Sequence, residues 1–494
     1  MAVAIQLLKQ ARNSAAWING NTGNPEYKAL LNAIDVVLNK LMSQEQPKFY
    51  VDYVATGQVL LKEGRALATK LGGNGVAAET LRDDVSADLS MTVINAEITK
   101  LHEAMRAVVG ALDEGRSKAE KDFLVRMTDW ETSLYDHDLE QVPSMSDDQP
   151  VPITAERLQN YLAKKFPAWK NVKVTRFMQL DGGFSKKTIL FETDDELNGH
   201  QSLVMRAEQA TNMLFYEGSD VRQEFYMIQL MQKAGLPIAE PQWLEADTSH
   251  LGTRFIISKK AIGKVYGGAL GTDEPMSKEL VHSMIGTFIK LHNIKVDPND
   301  PLTQKSHLKE WLPTCRSMRD TTHYYITQFL PRIIRLTKTP PSPQLLRALK
   351  WLEKNIPDSG DQAPVIIHLD FSFNNLIIGE NGISAVLDWE SSRLADPSED
   401  IIWTQMNLGA FISMPEFLKL YEEGTGRHVT EYQLAYSRVA KMAINAVSCF
   451  SSMQLLDADN AAHINMCVLA YKYLALFGSK FNEAITEAER VKPR

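Results

Sequence analysis

The stretch VIIHLDFSFNNLII, residues 365–378, decides how this chain is interpreted. It passes from an apolar run into a polar loop that contains Asp370 and Asn375, and then into a second apolar run. This pattern predicts two short strands joined by the loop. The next strand, AVLDWE at 385–390, places Asp388 thirteen residues after Asn375. Each of the three polar side chains therefore stands at the end of an apolar strand, where a rigid framework can aim it.

These residue types match what phosphoryl transfer needs from a protein. A carboxylate accepts or orients the attacking hydroxyl, while an amide and a second carboxylate hold Mg²⁺ against the phosphate oxygens. Asp370, Asn375 and Asp388 supply that set. The alternative is that Asp370 and Asn375 form a turn and Asp388 is a loop carboxylate. Because both motifs occur in the right order, each after a β run, the catalytic interpretation is favoured.

The two motifs resemble the catalytic and metal-binding loops of the aminoglycoside phosphotransferase-like (choline kinase-type) small-molecule kinases. That family writes H-G-D-x-x-x-x-N and, further on, D-W-E. The resemblance implies that Asp370 is the catalytic base and that Asn375 and Asp388 bind Mg²⁺. It also implies that His368 supports the catalytic loop rather than transferring protons. Leu369 stands where the family usually has glycine.

Two segments that follow the strand carrying Asp388 narrow the resemblance to one branch of this kinase family. SSRLADPSEDIIW at 391–403 is similar to the family's G-D-P-x-x-D segment, and we expect Asp396 and Asp400 to cap a helix or brace the loop. YEEGTGRHVTEYQLAYSRVAKMA at 421–443 resembles the kinase part of the acyl-CoA dehydrogenase 10/11-type proteins. That branch includes kinases of hydroxyacyl-CoA thioesters, so the resemblance implies such an acceptor.

The nucleotide side is predicted from QLDGGFSKKTILF, residues 179–191, which reads as a strand–turn–strand hairpin over the phosphates. Gly182 and Gly183 allow the backbone N–H groups of the turn, together with Ser185, to approach phosphate oxygens. Hairpins use Gly-Gly turns routinely, so the order of the motifs carries this prediction.

The family match places two more nucleotide contacts. Arg206 stands where a phosphate-contacting lysine is usual, and Glu224 matches its helix partner; Lys186 and Lys187 are nearby basic alternatives. A guanidinium binds phosphate bidentately and can do the same positioning, whereas the alternative is an ordinary solvated pair. The hinge is expected near Ile257 and Lys259. Relatives more often carry an acidic residue there, so the choice of nucleotide stays open between ATP, which is expected, and GTP.

The pattern of predicted strands and helices around these motifs indicates an α+β, bilobal protein-kinase-like fold. Residues 153–260 are assigned to a small β-rich N-lobe that clamps the nucleotide, with strands predicted at 171–177, 188–192, 200–207 and 253–258 and one helix at 219–234. Residues 261–494 are mostly helical and are assigned to a large C-lobe with the catalytic loop, the metal site and the substrate helices.

An all-α domain is expected in front of this fold. Residues 1–140 carry apolar residues at three- and four-residue steps, for example in a helix expected at 25–44, and this pattern predicts a helical bundle of about four members. Its histidines, His102 and His137, are isolated and read as ordinary surface or core residues. The acidic, proline-containing stretch at 141–152 reads as a linker. The bundle could form a homodimer, bind a partner protein or cover the cleft, and the sequence does not choose among these.

The charge, the cysteine content and the hydrophobic pattern of the chain exclude several classes of protein. With 53 Lys and Arg against 61 Asp and Glu, the net charge of −8 gives no general attraction to nucleic acid. The three cysteines, Cys315, Cys449 and Cys467, have no metal-like spacing and indicate a reducing compartment. There is no secretory signal pattern and no run of about eighteen apolar residues. A cytoplasmic protein without membrane partners is therefore expected.

The acceptor is predicted to be a small-molecule hydroxyl bound near 300–360 and 400–480. Arg316, Arg319, Arg332 and Arg335 flank Tyr324 and Tyr325 and could hold the phosphates of a coenzyme A thioester; alternatively these tyrosines are packing and the arginines lie on a solvated face. Three functions stay open. The first is a kinase of a hydroxyacyl-CoA or related metabolic alcohol, the second an aminoglycoside or macrolide phosphotransferase, and the third a non-catalytic pseudokinase or scaffold.

Overall fold

The computed structural model describes residues 47–70, 81–82, 85, 91–113, 116–137, 153–180, 186–208, 220–267, 272, 274–337, 339, 342–359, 362–380, 382–457 and 473–493. The chain divides into two compact units. The helical unit comprises Met1–Ser146, Phe329–Ile356 and Arg438–Arg494, and the mixed unit comprises Asp147–Gln328 and Pro357–Ser437.

Fifteen α-helices are described in these ranges. In chain order they are α1 Pro47–Lys70, α2 Met91–Ala111, α3 Lys118–His137, α4 Ala155–Lys165, α5 Val221–Lys233, α6 Lys278–His292, α7 Pro301–Lys305, α8 Met318–Tyr324, α9 Leu330–Leu336, α10 Pro343–Lys354, α11 Ser398–Leu408, α12 Met414–Thr425, α13 Glu431–Asp457, α14 Leu474–Ser479 and α15 Phe481–Val491. A π-helical turn, Tyr325–Phe329, precedes α9.

Nine strands are described as well. They are β1 Lys173–Leu180, β2 Lys186–Asp195, β3 Gly199–Glu208, β4 Pro241–Glu245, β5 Phe255–Lys259, β6 Val365–Ile367, β7 Leu376–Gly379, β8 Gly382–Val386 and β9 Arg393–Ala395. The predicted strands at 171–177, 188–192, 200–207 and 253–258 and the helix at 219–234 are confirmed, with shifted ends; β4 was not predicted.

The core of the helical unit forms where α1, α2 and α3 meet. Tyr53 stacks on Trp130 with ring centroids 4.5 Å apart, and its hydroxyl lies 2.7 Å from Nε2 of His102. His102 is thus a buried core histidine, as predicted. Gly57 of α1 faces this cluster, and a Cβ there would lie 2.4 Å from the Trp130 ring. Only glycine lets the helices approach this closely.

Later parts of the chain complete the helical unit. In α10, the Arg347 guanidinium Nη1 lies 2.8 Å from Oγ1 of Thr128, and Trp351 donates from Nε1 to Glu489 at 2.7 Å. The compact units therefore differ from the contiguous domains expected from sequence, because 329–356 and 438–494 belong with the N-terminal helices rather than with the rest of 261–494. These contacts join residues more than 130 positions apart, which no local pattern reveals. The helix expected at 25–44 and the linker at 141–152 lie outside the described residues.

The mixed unit begins with a five-stranded antiparallel sheet in the order β1-β2-β3-β5-β4. Alternate residues of each strand face opposite sides. One face packs on α4 through Leu158 and Leu162, with Met205 and Ile257 in the same core. Arg206 points from the other face, where Glu224 of α5 lies 3.3 Å from its guanidinium.

Two short antiparallel pairs carry the polar loops quoted at the outset. β6 pairs with β9 and β7 pairs with β8. The loop from β6 to β7 spans 368–375, and the segment from β8 to β9 spans 387–392. Because Ile367 faces Arg393 and Leu376 faces Val386, both ends of the two segments are held side by side. Strand pairing thus builds the juxtaposition that the sequence only predicts.

Within the described ranges, no helix combines the length and apolarity that crossing a bilayer requires.

Candidate active site

Asp370 lies among three hydrogen-bond donors. Its Oδ1 accepts from the indole Nε1 of Trp403 at 2.6 Å and lies 2.8 Å from the Ser372 hydroxyl. Its Oδ2 accepts from Nδ2 of Asn375 at 2.8 Å. A carboxylate offers about four acceptor positions. Among the described residues, one position on Oδ2 therefore has no donor, and a hydroxyl from outside the chain can donate there.

His368 ties the predicted catalytic loop, residues 368–375, to the predicted metal segment, residues 387–392. Its Nδ1 accepts from the Asp370 backbone N–H at 3.3 Å, and its Nε2 lies 2.8 Å from the carbonyl oxygen of Leu387. The first contact needs an unprotonated Nδ1, so the ring carries its proton on Nε2 and donates to Leu387. The side chain is fully buried. This geometry suits the supporting role that the family resemblance implies.

Asp400 braces the same loop from α11. Its two carboxylate oxygens accept from the backbone N–H groups of His368 and Leu369, each at 2.7 Å. His292 lies 3.2 Å from Oδ2. Leu369 has φ of 71°, the left-handed conformation in which the family's usual glycine is unstrained. The two hydrogen bonds to Asp400 hold this strained backbone, and the predicted bracing role is confirmed.

Asp396 acts at the start of α11. Its Oδ1 accepts from the backbone N–H of Ser398 at 2.9 Å and from the Ser398 hydroxyl at 2.7 Å. Its Oδ2 accepts from the amide of Gln433 at 2.8 Å. These bonds satisfy an N–H group in the first helical turn. The predicted capping role is therefore confirmed.

Asn375 and Asp388 stand where a hard cation could bind. The backbone N–H of Leu387 donates to the Asn375 carbonyl at 2.8 Å, so the two segments are linked next to both side chains. Carboxylate and amide oxygens suit Mg²⁺, which usually takes one or two carboxylates and completes its shell with phosphate and water. In the described part of the chain, no cluster of three or more His, Cys, Asp or Glu residues is arranged for a metal. One carboxylate and one amide suit a Mg²⁺ ion whose remaining positions are completed by phosphate and water.

Arg206 connects the metal segment to the sheet. Its Nη2 lies 2.9 Å from Oδ1 of Asp388 and 3.3 Å from Oε1 of Glu224. Burial lowers the pKa of Arg206, but the carboxylates of Asp388 and Glu224 outweigh it and raise the pKa. Burial raises the pKa of Glu224 to about 7 against the pull of Arg206. The structure thus brings Arg206 and Glu224 together, but it also joins Arg206 to the predicted metal ligand.

Other predicted nucleotide contacts are placed differently. Ile257 is buried against α4, on the face of the sheet opposite Arg206, so only its backbone could reach a nucleotide. Lys259 is half-exposed at the end of β5 and forms an ion pair with Glu240 at 2.8 Å. Gly182, Gly183 and Ser185 lie outside the described residues. The flanking strands β1 and β2 do pair antiparallel, as the hairpin requires.

The arginine patch predicted for the acceptor is divided. Arg316 and Arg319 are exposed in the mixed unit, whereas Arg332 and Arg335 belong to the helical unit. Tyr324 and Tyr325 have structural roles instead: Tyr324 donates a hydrogen bond to Glu310 at 2.9 Å, and Tyr325 is buried. The guanidinium carbon of Arg393 lies 3.9 Å from the centre of the Tyr325 ring.

Sequence reasoning missed Trp403 as a neighbour of the predicted catalytic carboxylate, Asp370. A signal was present, because Trp403 follows Asp400 by three residues and helix positions i and i+3 share a face. If Asp400 braces the catalytic loop, Trp403 must face it too. Ser372 and the partner of Lys186 were also missed.

Comparison with known proteins places this geometry in a family. A family model described as the phosphotransferase enzyme family matches residues 176–437, which is more than half of the chain. The chain belongs to this family. The matched range contains Arg206, the catalytic loop, the metal segment and Asp400. The predicted recognition and the prediction of a phosphotransferase enzyme are thereby confirmed.

Two curated mouse proteins are similar to this phosphotransferase. Acyl-CoA dehydrogenase family member 10 of Mus musculus is 25% identical over 256 residues, covering 51% of this chain and 22% of that protein. Acyl-CoA dehydrogenase family member 11 of Mus musculus is 24% identical over 285 residues, covering 56% of this chain and 33% of that protein. The chain therefore spans a third or less of the length of these relatives.

Solved structures of similar proteins include two phosphotransferases. One is a putative aminoglycoside phosphotransferase from Ralstonia eutropha, 21% identical, with a TM-score of 0.49 over 69% of this chain and all of that one. The other is a spectinomycin phosphotransferase in complex with ADP and spectinomycin, 15% identical, with a TM-score of 0.44 over 67% of this chain and all of that one.

Replacing Trp403 by Phe is expected to lower kcat about tenfold, because the Asp370 carboxylate loses a donor at 2.6 Å. A hydrogen bond to a charged group contributes roughly 1.5–3 kcal/mol, and about 1.4 kcal/mol corresponds to a factor of ten. Steady-state kinetics should show this loss with little change in KM for ATP. Trp243→Phe is the matched control, since it removes an indole bond to Tyr161 elsewhere in the same unit. Equal losses in both variants would contradict the assignment.

Replacing Asp400 by Asn is expected to lower the free energy of unfolding by about 2–4 kcal/mol at pH 7. One amide oxygen can accept only at one of the two loop N–H sites, and the NH₂ group opposes the other. Asp297→Asn is the control, because Asp297 is exposed and accepts one backbone N–H, from Asn299 at 2.8 Å. Urea unfolding of both variants measures the difference, and a similar cost in both would contradict the bracing role.

The Asp400 effect should depend on pH. Burial raises the pKa of Asp400, but its bonds to His292 and to the His368 N–H outweigh this and lower the pKa. A carboxyl whose folded-state pKa is depressed contributes stability that is present above its unfolded pKa, near 4, and is lost as the pH falls through the folded value. The difference between wild type and Asp400→Asn should therefore be constant near neutral pH and shrink below about pH 4.

Proposed function

We propose that this phosphotransferase moves the γ-phosphate of ATP to the hydroxyl of a small molecule, with a hydroxyacyl-CoA or related metabolic alcohol as the acceptor. The open acceptor position on Oδ2 of Asp370 carries the proposal. It lies on the carboxylate that Trp403, Ser372 and Asn375 fix, and Asn375 is itself joined to the metal segment. A base held this rigidly can receive a substrate proton without reorganising.

In the proposed reaction, every bond that forms or breaks and the transferred proton are accounted for by the acceptor, ATP and Asp370. The acceptor hydroxyl donates to Oδ2 of Asp370, and its oxygen forms a bond to the γ-phosphorus. The bond from that phosphorus to the bridging oxygen breaks, ADP leaves, and Asp370 takes the hydroxyl proton. Asn375 and Asp388 would hold Mg²⁺, which neutralises phosphate charge when bound. Arg206 would contact the phosphates through its guanidinium while Glu224 keeps it in place.

The acceptor class is supported by the relatives. Two mouse proteins that align with about half of this chain are acyl-CoA dehydrogenase family members, so a segment related to this chain occurs in proteins named for acyl-CoA chemistry. Exposed Arg316 and Arg319 in the mixed unit could attract an anionic acceptor. This second observation is subordinate, because Arg319 already lies 3.6 Å from the Asp358 carboxylate.

A phosphate-transfer screen tests the proposal. Hydroxyacyl-CoAs, free hydroxy acids, aminoglycosides and macrolides are incubated with Mg·ATP, and in parallel with Mg·GTP, and phosphorylated products are detected by mass spectrometry. We expect transfer to a hydroxyacyl-CoA or hydroxy acid. Transfer to an antibiotic but to no thioester or acid would overturn the acceptor class. If no nucleotide bound at all, the chain would be a pseudokinase or scaffold instead.

The role of the helical unit stays a prediction. We propose that it forms a homodimer or binds a partner protein. Light scattering on the purified full chain would measure the mass in solution, and a mass near 55.5 kDa would argue against the homodimer.

A further inference from the structure

Lys186 and Glu390 form a buried ion pair in the mixed unit. Nζ of Lys186 lies 2.8 Å from Oε2 of Glu390, and the two side chains are only 2% and 6% exposed. Lys186 is the first residue of β2, and Glu390 follows the metal ligand Asp388 by two residues. The pair therefore links the sheet to the segment that carries the predicted metal ligand.

The strand register places Lys186 beside Arg206. Thr188 pairs with Arg206 across β2 and β3, so these two side chains share a face. Lys186 is two residues from Thr188 and projects from that same face. Adjacent strands thus each hold one carboxylate of a single short segment: Arg206 holds Asp388, and Lys186 holds Glu390.

Stability alone does not account for this pair. Removing two charges from water costs about as much as their attraction returns, so buried ion pairs contribute little net stability. Burial lowers the pKa of Lys186, but the carboxylates of Glu390 and Glu224 outweigh it and raise the pKa, so the amine stays charged. A buried pair is well suited to fixing a geometry, and the neighbouring geometry is that of Asp388.

Asp388 needs such support. It has φ of 64°, a left-handed conformation, and no side chain caps the short 3₁₀ turn Trp389–Ser391 that it begins. We propose that Lys186 is a positioning residue for the metal ligand Asp388 and that it acts through Glu390. The inference rests on the proposed Mg·ATP function, and it excludes direct contact with phosphate as the main role of Lys186.

The consequence is a specific pattern of coupling. If Lys186 acts through Glu390, then Lys186→Met, Glu390→Met and the double variant all remove the same link. Each should weaken metal binding about 10–100-fold, as residues behind a metal ligand do. The double variant should be no worse than either single variant. Lys186→Arg keeps the charge and the bond and should recover most of the affinity.

The experiment measures Mn²⁺ binding by electron paramagnetic resonance in the presence of AMP-PNP, on the full chain and without any acceptor. The matched control is Lys165→Met, because Lys165 forms an ion pair with Glu245 at 2.6 Å in the same unit. Its Mn²⁺ affinity should equal that of wild type. The double variant carries no unpaired buried charge, so it can be measured even if Lys186→Met alone does not fold.

Two results would overturn the inference. One is wild-type Mn²⁺ affinity in the folded double variant. The other is a loss in Lys186→Met with none in Glu390→Met, which would mean that Lys186 contacts the nucleotide directly. Failure of the proposed function is distinguishable from both, because then the wild type itself would bind no Mn²⁺ with AMP-PNP.

Discussion

Asp370→Asn should lower kcat by about 10²–10⁴-fold, the range that general-base catalysis contributes. The amide cannot accept the hydroxyl proton. Its oxygen can still accept from Trp403 and Ser372, but its NH₂ group would face the NH₂ group of Asn375, which now donates to Oδ2 at 2.8 Å. The open acceptor position is therefore lost together with the base.

Steady-state kinetics with the acceptor found in the screen measures this effect, and calorimetric titration with ADP separates it from nucleotide binding. Affinity for ADP should change less than about threefold, because Asp370 is not predicted to contact the nucleotide. The control is Asp358→Asn, the same chemical change at a carboxylate that is 81% exposed. If Asp370→Asn kept full ATP-dependent transfer, Asp370 would not be the base.

Asp388→Asn has the second-largest expected effect, a loss of about 10²–10³-fold in kcat/KM for Mg·ATP, comparable to removing a preorganised charge-stabilising group. The substitution removes the charged metal ligand. It also turns the charged contact of the partly buried Arg206 guanidinium at 2.9 Å into a neutral one, so Arg206 must rely on Glu224 for a charged partner. We therefore expect metal binding and phosphate binding to be weakened together.

The diagnostic measurement is the dependence of activity on Mg²⁺ concentration. We expect the half-saturating Mg²⁺ concentration of Asp388→Asn to rise beyond about tenfold, as loss of a ligand weakens a site at least as much as loss of its supporting residues. The Asp358→Asn variant serves again as the control. An unchanged Mg²⁺ dependence with lowered kcat would place Asp388 elsewhere in the mechanism.

The chemical identity of the proposed catalytic groups was readable from the sequence. Asp370 and Asp388 follow apolar runs and Asn375 precedes one, and such runs predict strands whose ends carry the polar residues. The β-rich segment from 173 to 259 and the helix that carries Glu224 were readable for the same reason, since alternation with period two and recurrence at three and four residues are local properties. Asp396 and Asp400 could also be assigned as structural residues, because a helix start needs polar caps.

What the sequence could not decide depends on long-range contacts. Trp403 reaches Asp370 across 33 residues, and Lys186 reaches Glu390 across 204. The domain division has the same origin, since Arg347 meets Thr128 across 219 residues. Even the face of a residue was decided by strand register, which placed Ile257 in the core and Lys186 beside Arg206. The periodicity of a segment indicates which of its side chains face the core, whereas only the folded chain determines which distant residues those side chains contact.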